Sequence, residues 1–144
     1  MNIVHDEAPD DFVLGDRELD VMAVLWEIGS GTVAEVRERL PAALAYTTVL
    51  TILRNLEEKG FLSHEAEGRA HRYHPRVARQ AARRSALARL IDKLFHGSPE
   101  QLIAQLVEDR ALTAEDLRRL HRRVGTREET KTGTRKGSER RGKR

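Results

Sequence analysis

The sequence predicts a mainly α-helical protein whose β structure is limited to one short hairpin. Three observations carry this. Between Ala45 and Gly60 the apolar residues Val49, Ile52, Leu53 and Leu56 recur at helical spacing, and Gly60 stands where a helix closes. Directly afterwards, residues 61–66 and 70–74 form two strand-like runs joined through Glu67-Gly68-Arg69 and ended by Pro75. From Val77 to Val124, apolar stripes at helical spacing succeed one another. The expected architecture is a winged helix-turn-helix domain with a small β-hairpin wing, followed by a C-terminal helical dimerisation domain.

The elements follow in order. Residues 1–13 are acidic and unpatterned and read as a flexible arm. Gly15-Asp16 can cap a first helix whose stripe is Leu19, Met22, Leu25 and Trp26, with Trp26 a core residue, and Gly29-Ser30-Gly31 ends it. Thr32 and Glu35 have the spacing of a capping box, in which hydroxyl and carboxylate satisfy otherwise unpaired helix-start amides. The helix behind them buries Val33, Val36 and Leu40 and stops at Pro41. A tight turn leads into the Tyr46 helix, and the winged unit is expected to span 14–76.

A long helix is expected over 77–96, starting Arg-rich and then carrying Leu87, Leu90, Ile91, Leu94 and Phe95. Ser98-Pro99 with Gln101 is a strong helix start, followed by Leu102, Ile103, Leu106 and Val107. Thr113 starts a last helix with Leu117, Leu120 and Val124. The helices of 77–124 are too short to make a rich core alone, so their stripes need a partner. A second copy in a two-fold dimer and a fold back onto the winged unit are the two options. Residues 125–144 carry no apolar side chain and read as a disordered basic tail, suited to phosphate contact or to solubility.

Charge narrows the function. The net +3 is uneven: 125–144 hold eight Lys/Arg and three Glu, +5, which leaves eighteen against twenty, −2, for 1–124. Within that body, 68–91 contain Arg69, Arg72, Arg76, Arg79, Arg83, Arg84 and Arg89 with no acid, a run that attracts polyanions. The outer face of the Tyr46 helix carries Tyr46, Thr47, Thr48, Leu50, Thr51, Arg54 and Asn55 instead of a Lys/Glu mixture. Hydroxyls and Arg can hydrogen-bond base edges in a major groove, and Thr and Leu methyls can meet thymine methyls. The plainer alternative is a threonine-rich surface on a core helix. Arg69 at the hairpin tip suits a narrow, electronegative minor groove.

Other chemistries lack their residues. Cysteine is absent, which removes disulfides, thiolate metal sites and cysteine nucleophiles and fits a reducing cytosol. There is no membrane-length apolar run and no signal-like start, so a soluble cytoplasmic protein without membrane contact is expected. His71 and His74, three apart on a strand, point to opposite faces and make no chelating pair. With no helical His pair, phosphate loop or nucleophile set, no enzyme, metal or cofactor is expected.

Taken together, the runs from Leu14 to Met22 and Leu25-Trp26, Tyr46-Thr47-Thr48-Val49 with Leu53, Leu56 and Lys59-Gly60, and Gly68-Arg69-Ala70-His71-Arg72-Tyr73 resemble the penicillinase-repressor (BlaI/MecI) family of winged-helix regulators, particularly its actinobacterial branch. The resemblance covers about 14–124. It implies a homodimer on a palindromic operator of double-stranded DNA near promoters, often those of β-lactam-resistance genes. By position, Tyr46, Thr47, Thr48, Thr51 and Arg54 would face the major groove, and Arg69, His71 and Arg72 would serve the wing. The C-terminal stripes would dimerise. Several members are cut in the dimerisation helices after a membrane sensor detects a β-lactam, which implies a sensor-linked protease as partner. The matching position is Gln105-Leu106, in place of the family's Asn-Phe. The cysteine motif of copper-responsive relatives is absent. A ligand-sensing repressor with a pocket at the dimer interface and a winged-helix protein-interaction module are the alternatives.

Overall fold

The computed structural model describes residues 14–126; the expected acidic arm and all but the first two residues of the expected tail lie outside them. The described chain forms two compact units that divide between Lys93 and Leu94.

The first unit begins with α1 (Asp16–Ile28), where the Gly15 amide donates to the Glu18 carboxylate at 3.2 Å. Its buried residues are Val21, Met22, Val24 and Leu25, an arc different from the expected stripe. Leu19 lies roughly 120° round the helix from Leu25, given about 100° per residue, and is 44% exposed. Trp26, on the same flank as Leu19, is half-buried, and its indole N–H donates to the Val77 carbonyl at 2.8 Å.

Gly31–Thr32 form β1, a strand too short to announce itself in the sequence. Thr32 then caps α2 (Val33–Arg39) through the expected reciprocal box: the Glu35 amide donates to Thr32 Oγ1 at 3.3 Å, and the Thr32 amide to Glu35 Oε2 at 3.1 Å. Val33 and Val36 are buried and Leu40 packs partly against the core.

α3 (Tyr46–Glu58) buries Val49, Ile52, Leu53 and Leu56, as its spacing predicts. Each such side chain contributes about 1.5–3 kcal/mol by leaving water. Its end is a Schellman motif: the Phe61 amide reaches the Leu56 carbonyl at 2.9 Å and the Gly60 amide the Glu57 carbonyl at 3.0 Å. Gly60 has φ of +88°, which side chains resist.

β2 (Leu62–Glu67) and β3 (Ala70–Pro75) form the hairpin, one residue later at its first strand's two ends than expected, because Phe61 is used to close α3. Antiparallel pairing runs from Leu62↔Pro75 to Glu67↔Ala70, and β1 adds Gly31↔Tyr73 and Thr32↔Arg72, giving the order β1-β3-β2. Gly68, with φ of +61°, takes the two-residue turn that this register demands. Phe61, Leu62 and Tyr73 complete the core.

α4 (Arg79–Leu94) starts later and stops earlier than the expected 77–96. Val77, Ala81 and Ala82 are buried with the winged core, so the first unit runs on past residue 76. Beyond Ala82 the helix is exposed apart from the half-buried Ser85 and Ile91, and Leu87 and Leu90 are among its exposed residues.

In the second unit, Ser98 Oγ accepts from the Gln101 amide at 3.3 Å and Pro99 opens α5 (Pro99–Glu108). α6 (114–126) starts with a second reciprocal box between Thr113 and Asp116 and runs on through Gly125 and Thr126. No residue of 94–126 is buried.

Candidate nucleic-acid interface

Because the apolar face of α3 is turned inward, its opposite face is outward by construction. Tyr46, Thr47, Thr48, Thr51, Arg54 and Asn55 are exposed and Leu50 is half-buried against the core. The Thr51 hydroxyl donates back to the Thr47 carbonyl at 2.9 Å, which leaves its methyl and its oxygen lone pairs for a ligand. No acid lies in the first turn of α3, so the partial positive charge of its amino end is not cancelled there.

Three contacts brace this helix. Arg37 of α2 donates through Nε to the Leu44 carbonyl at 2.7 Å and fixes the turn before it. Lys59 at its end grips both Glu18 carboxylate oxygens of α1, at 2.8 and 2.9 Å. Glu57 meets His64 Nδ1 of β2 at 2.6 and 2.7 Å, which joins the helix to the wing. None of these partners is legible in the sequence, since each contact joins residues of different segments without a local signature.

On the wing, one hairpin face carries His64, His71 and Tyr73. The His64 and His71 rings stack with centroids 4.4 Å apart, and Tyr73 lies 5.6 Å from His64. Burial pushes the Tyr73 phenol pKa up, with Glu57 adding to the rise and Arg54 opposing it. His74 is on the other face, paired with Glu65 at 2.8 Å, so the two wing histidines expected to part do so. Arg69 is exposed at the tip.

Arg72 stands apart from the other wing residues named from the sequence. Only half-exposed, it holds Glu67 through Nε and Nη2 at 3.0 and 2.9 Å, and Glu35 through Nη1 and Nη2 at 3.1 Å each. Ser30 Oγ accepts from Nη1 at 3.3 Å. Its guanidinium is thus spent on the protein itself, and at this position the acid-free Arg run of the sequence meets acids in space. Along that run, Arg79 lies over the Trp26 ring at 5.9 Å, whereas Arg83, Arg84 and Arg89 are exposed on α4.

The expected dimerisation residues are all unburied in the single chain. Leu87, Leu90, Leu94, Ile103, Val107 and Leu120 are exposed, and Ile91, Phe95, Leu102, Leu106 and Leu117 are half-buried. Gln105-Leu106 sits inside α5, with the Gln105 side-chain Nε2 donating to the two Asp109 carboxylate oxygens at 3.0 and 3.1 Å. Among the described residues no three His, Cys, Asp or Glu side chains group as a metal site, and no helix is long and apolar enough to cross a membrane.

A helix-turn-helix backed by a three-stranded sheet, with the hairpin beside a polar-faced helix, defines a winged-helix protein. The family model described as penicillinase repressor matches residues 14–126, and the chain belongs to that family. It is 26% identical over 110 residues to the penicillinase repressor of Bacillus licheniformis, across 75% of this chain and 86% of that protein. It is 38% identical over 106 residues to the transcriptional regulator BlaI of Mycobacterium tuberculosis, across 72% of this chain and 62% of that protein. Among solved structures, the DNA-binding domain of the repressor BlaI matches at 34% identity and a TM-score of 0.44, covering 47% of this chain and 85% of that one. The CopR repressor matches at 38% identity and 0.39, covering 44% and 96%.

Proposed function

We propose that the protein is a sequence-specific, DNA-binding transcriptional repressor that acts as a homodimer on a palindromic operator. α3 reads base edges in the major groove, Arg69 and the wing follow the adjacent minor groove, and Arg83 on α4 meets phosphate. Bound at a promoter, the dimer excludes polymerase. Family membership supports the repressor role. The names of its relatives favour β-lactam-resistance genes as targets, with stress genes as the wider class.

One observation carries the reading: a helix buried along Val49, Ile52, Leu53 and Leu56, braced against its neighbours, offers water an unbroken face of hydroxyls, methyls, an amide and a guanidinium. The exposed leucines of α4 and the absence of buried residues in 94–126 support a second copy as the cover for the C-terminal stripes. Anything that separates the copies releases DNA, since one half-site alone loses most of the joint affinity. A sensor-linked protease acting at Gln105-Leu106 would do so.

The test starts from duplexes enriched by the full-length protein out of a random-sequence library. Thr48→Ala and Arg54→Ala should each cost about 1–3 kcal/mol on the enriched duplex and relax its base preference. Arg83→Ala should weaken all duplexes alike and flatten the salt dependence by about one unit of slope. Unchanged base preference in both α3 variants sinks the assignment of α3.

A further inference from the structure

The register of the sheet puts Arg72 beside Thr32, and Thr32 is where α2 is capped. The capping box brings the Glu35 carboxylate back over the Thr32 amide, and so within reach of Arg72. One carboxylate therefore serves two elements: Oε2 accepts from the Thr32 amide and from Arg72 Nη1, and Oε1 accepts from Arg72 Nη2. The same guanidinium holds Glu67, the residue before the Gly68-Arg69 tip. A planar fork that grips two carboxylates in fixed directions limits how its strand can tilt.

We propose that Glu35 and Arg72 are positioning residues: their link from the α2 cap to β3 sets the wing's angle to α3 and hence where Arg69 meets DNA. The proposal rests on the DNA-binding reading above. It takes Arg72 away from phosphate contact and gives a role in DNA affinity to an acidic residue that does not touch DNA.

Charge alone and positioning predict opposite signs for Glu35→Gln. Removing a negative charge from a DNA-binding surface should tighten binding to any duplex. If the link positions the wing, the variant should instead bind the enriched duplex more weakly, by roughly 5–30-fold, the factor that one or two kcal/mol represents. Arg72→Gln should lose a similar factor, and the double variant no more than either single one, because both break the same link. The slope of log affinity against log salt should stay at the wild-type value in all three, whereas Arg69→Gln should lower it by about one.

Thr32→Ala separates the link from the cap, since it removes the acceptor for the Glu35 amide and leaves the carboxylate–guanidinium pair in place. It should retain wild-type affinity, with circular dichroism confirming that each variant is folded. Three results overturn the proposal: tighter binding by Glu35→Gln, a salt slope lowered by about one in Arg72→Gln, or a loss in Thr32→Ala equal to that in Glu35→Gln. Failure of the wild-type protein to enrich any duplex would instead sink the DNA-binding reading itself.

Discussion

At Glu35, hydrogen bonding to Arg72, with the Thr32 amide helping, holds the carboxyl below the usual carboxylate range. The same contacts raise Arg72, first through Glu35 and then through Glu67. A carboxyl whose folded-state pKa is depressed stabilises the fold above its unfolded pKa and loses that contribution as pH falls through the folded one. Acid titration of the wild-type protein should therefore show a stability loss that begins as pH falls into the ordinary carboxylate range and is complete below the depressed folded-state value, a loss that Glu35→Gln lacks, read as the difference between their melting temperatures at each pH. Parallel curves for the two proteins would mean that the pair does nothing for the fold. Residues of this kind were half legible. The sequence shows Glu35 as a cap, because the box is local. Its second partner lies 37 positions away and has no local mark, so Arg72 reads in sequence as one more cation in an acid-free run.

Elements were legible in proportion to how strictly their period is kept. α3 satisfies one face with four buried residues and no exceptions, so its inner and outer surfaces follow from spacing alone. In α1 the two valines, Val21 and Val24, carry the burial that Leu19 and Trp26 were expected to share, since the helix turns its arc toward Leu25. β1 is two residues long and owes its existence to pairing with β3, a tertiary fact with no sequence pattern. The hairpin was readable from Gly68 and the runs on either side. Since Leu53 is fully buried at the centre of α3, Leu53→Ala should destabilise the winged unit by about 2–5 kcal/mol in thermal melts and remove DNA binding with it. A loss under 1 kcal/mol, on the order of a surface substitution, would contradict the packing described for α3.

The whole molecule divides later than its sequence suggests, between Lys93 and Leu94, because α4 lends Ala81 and Ala82 to the winged core before its leucines turn to water. Composition alone cannot show that one helix serves two purposes. The proposed dimer makes a direct forecast here. Leu90→Asp, at a side chain 39% exposed in the single chain, should leave the winged fold intact, halve the mass seen by light scattering and abolish tight operator binding. Retention of the wild-type mass would remove α4 from the association surface. The second unit has a consequence of its own. In a separated protomer, with no side chain sealed from solvent in 94–126, the backbone amides of this unit should trade hydrogen for deuterium long before those of α3, since local opening there exposes little that was hidden. For the proposed cleavage between Gln105 and Leu106, fraying one short helix would then be enough to bare the peptide bond, while the winged unit stays folded.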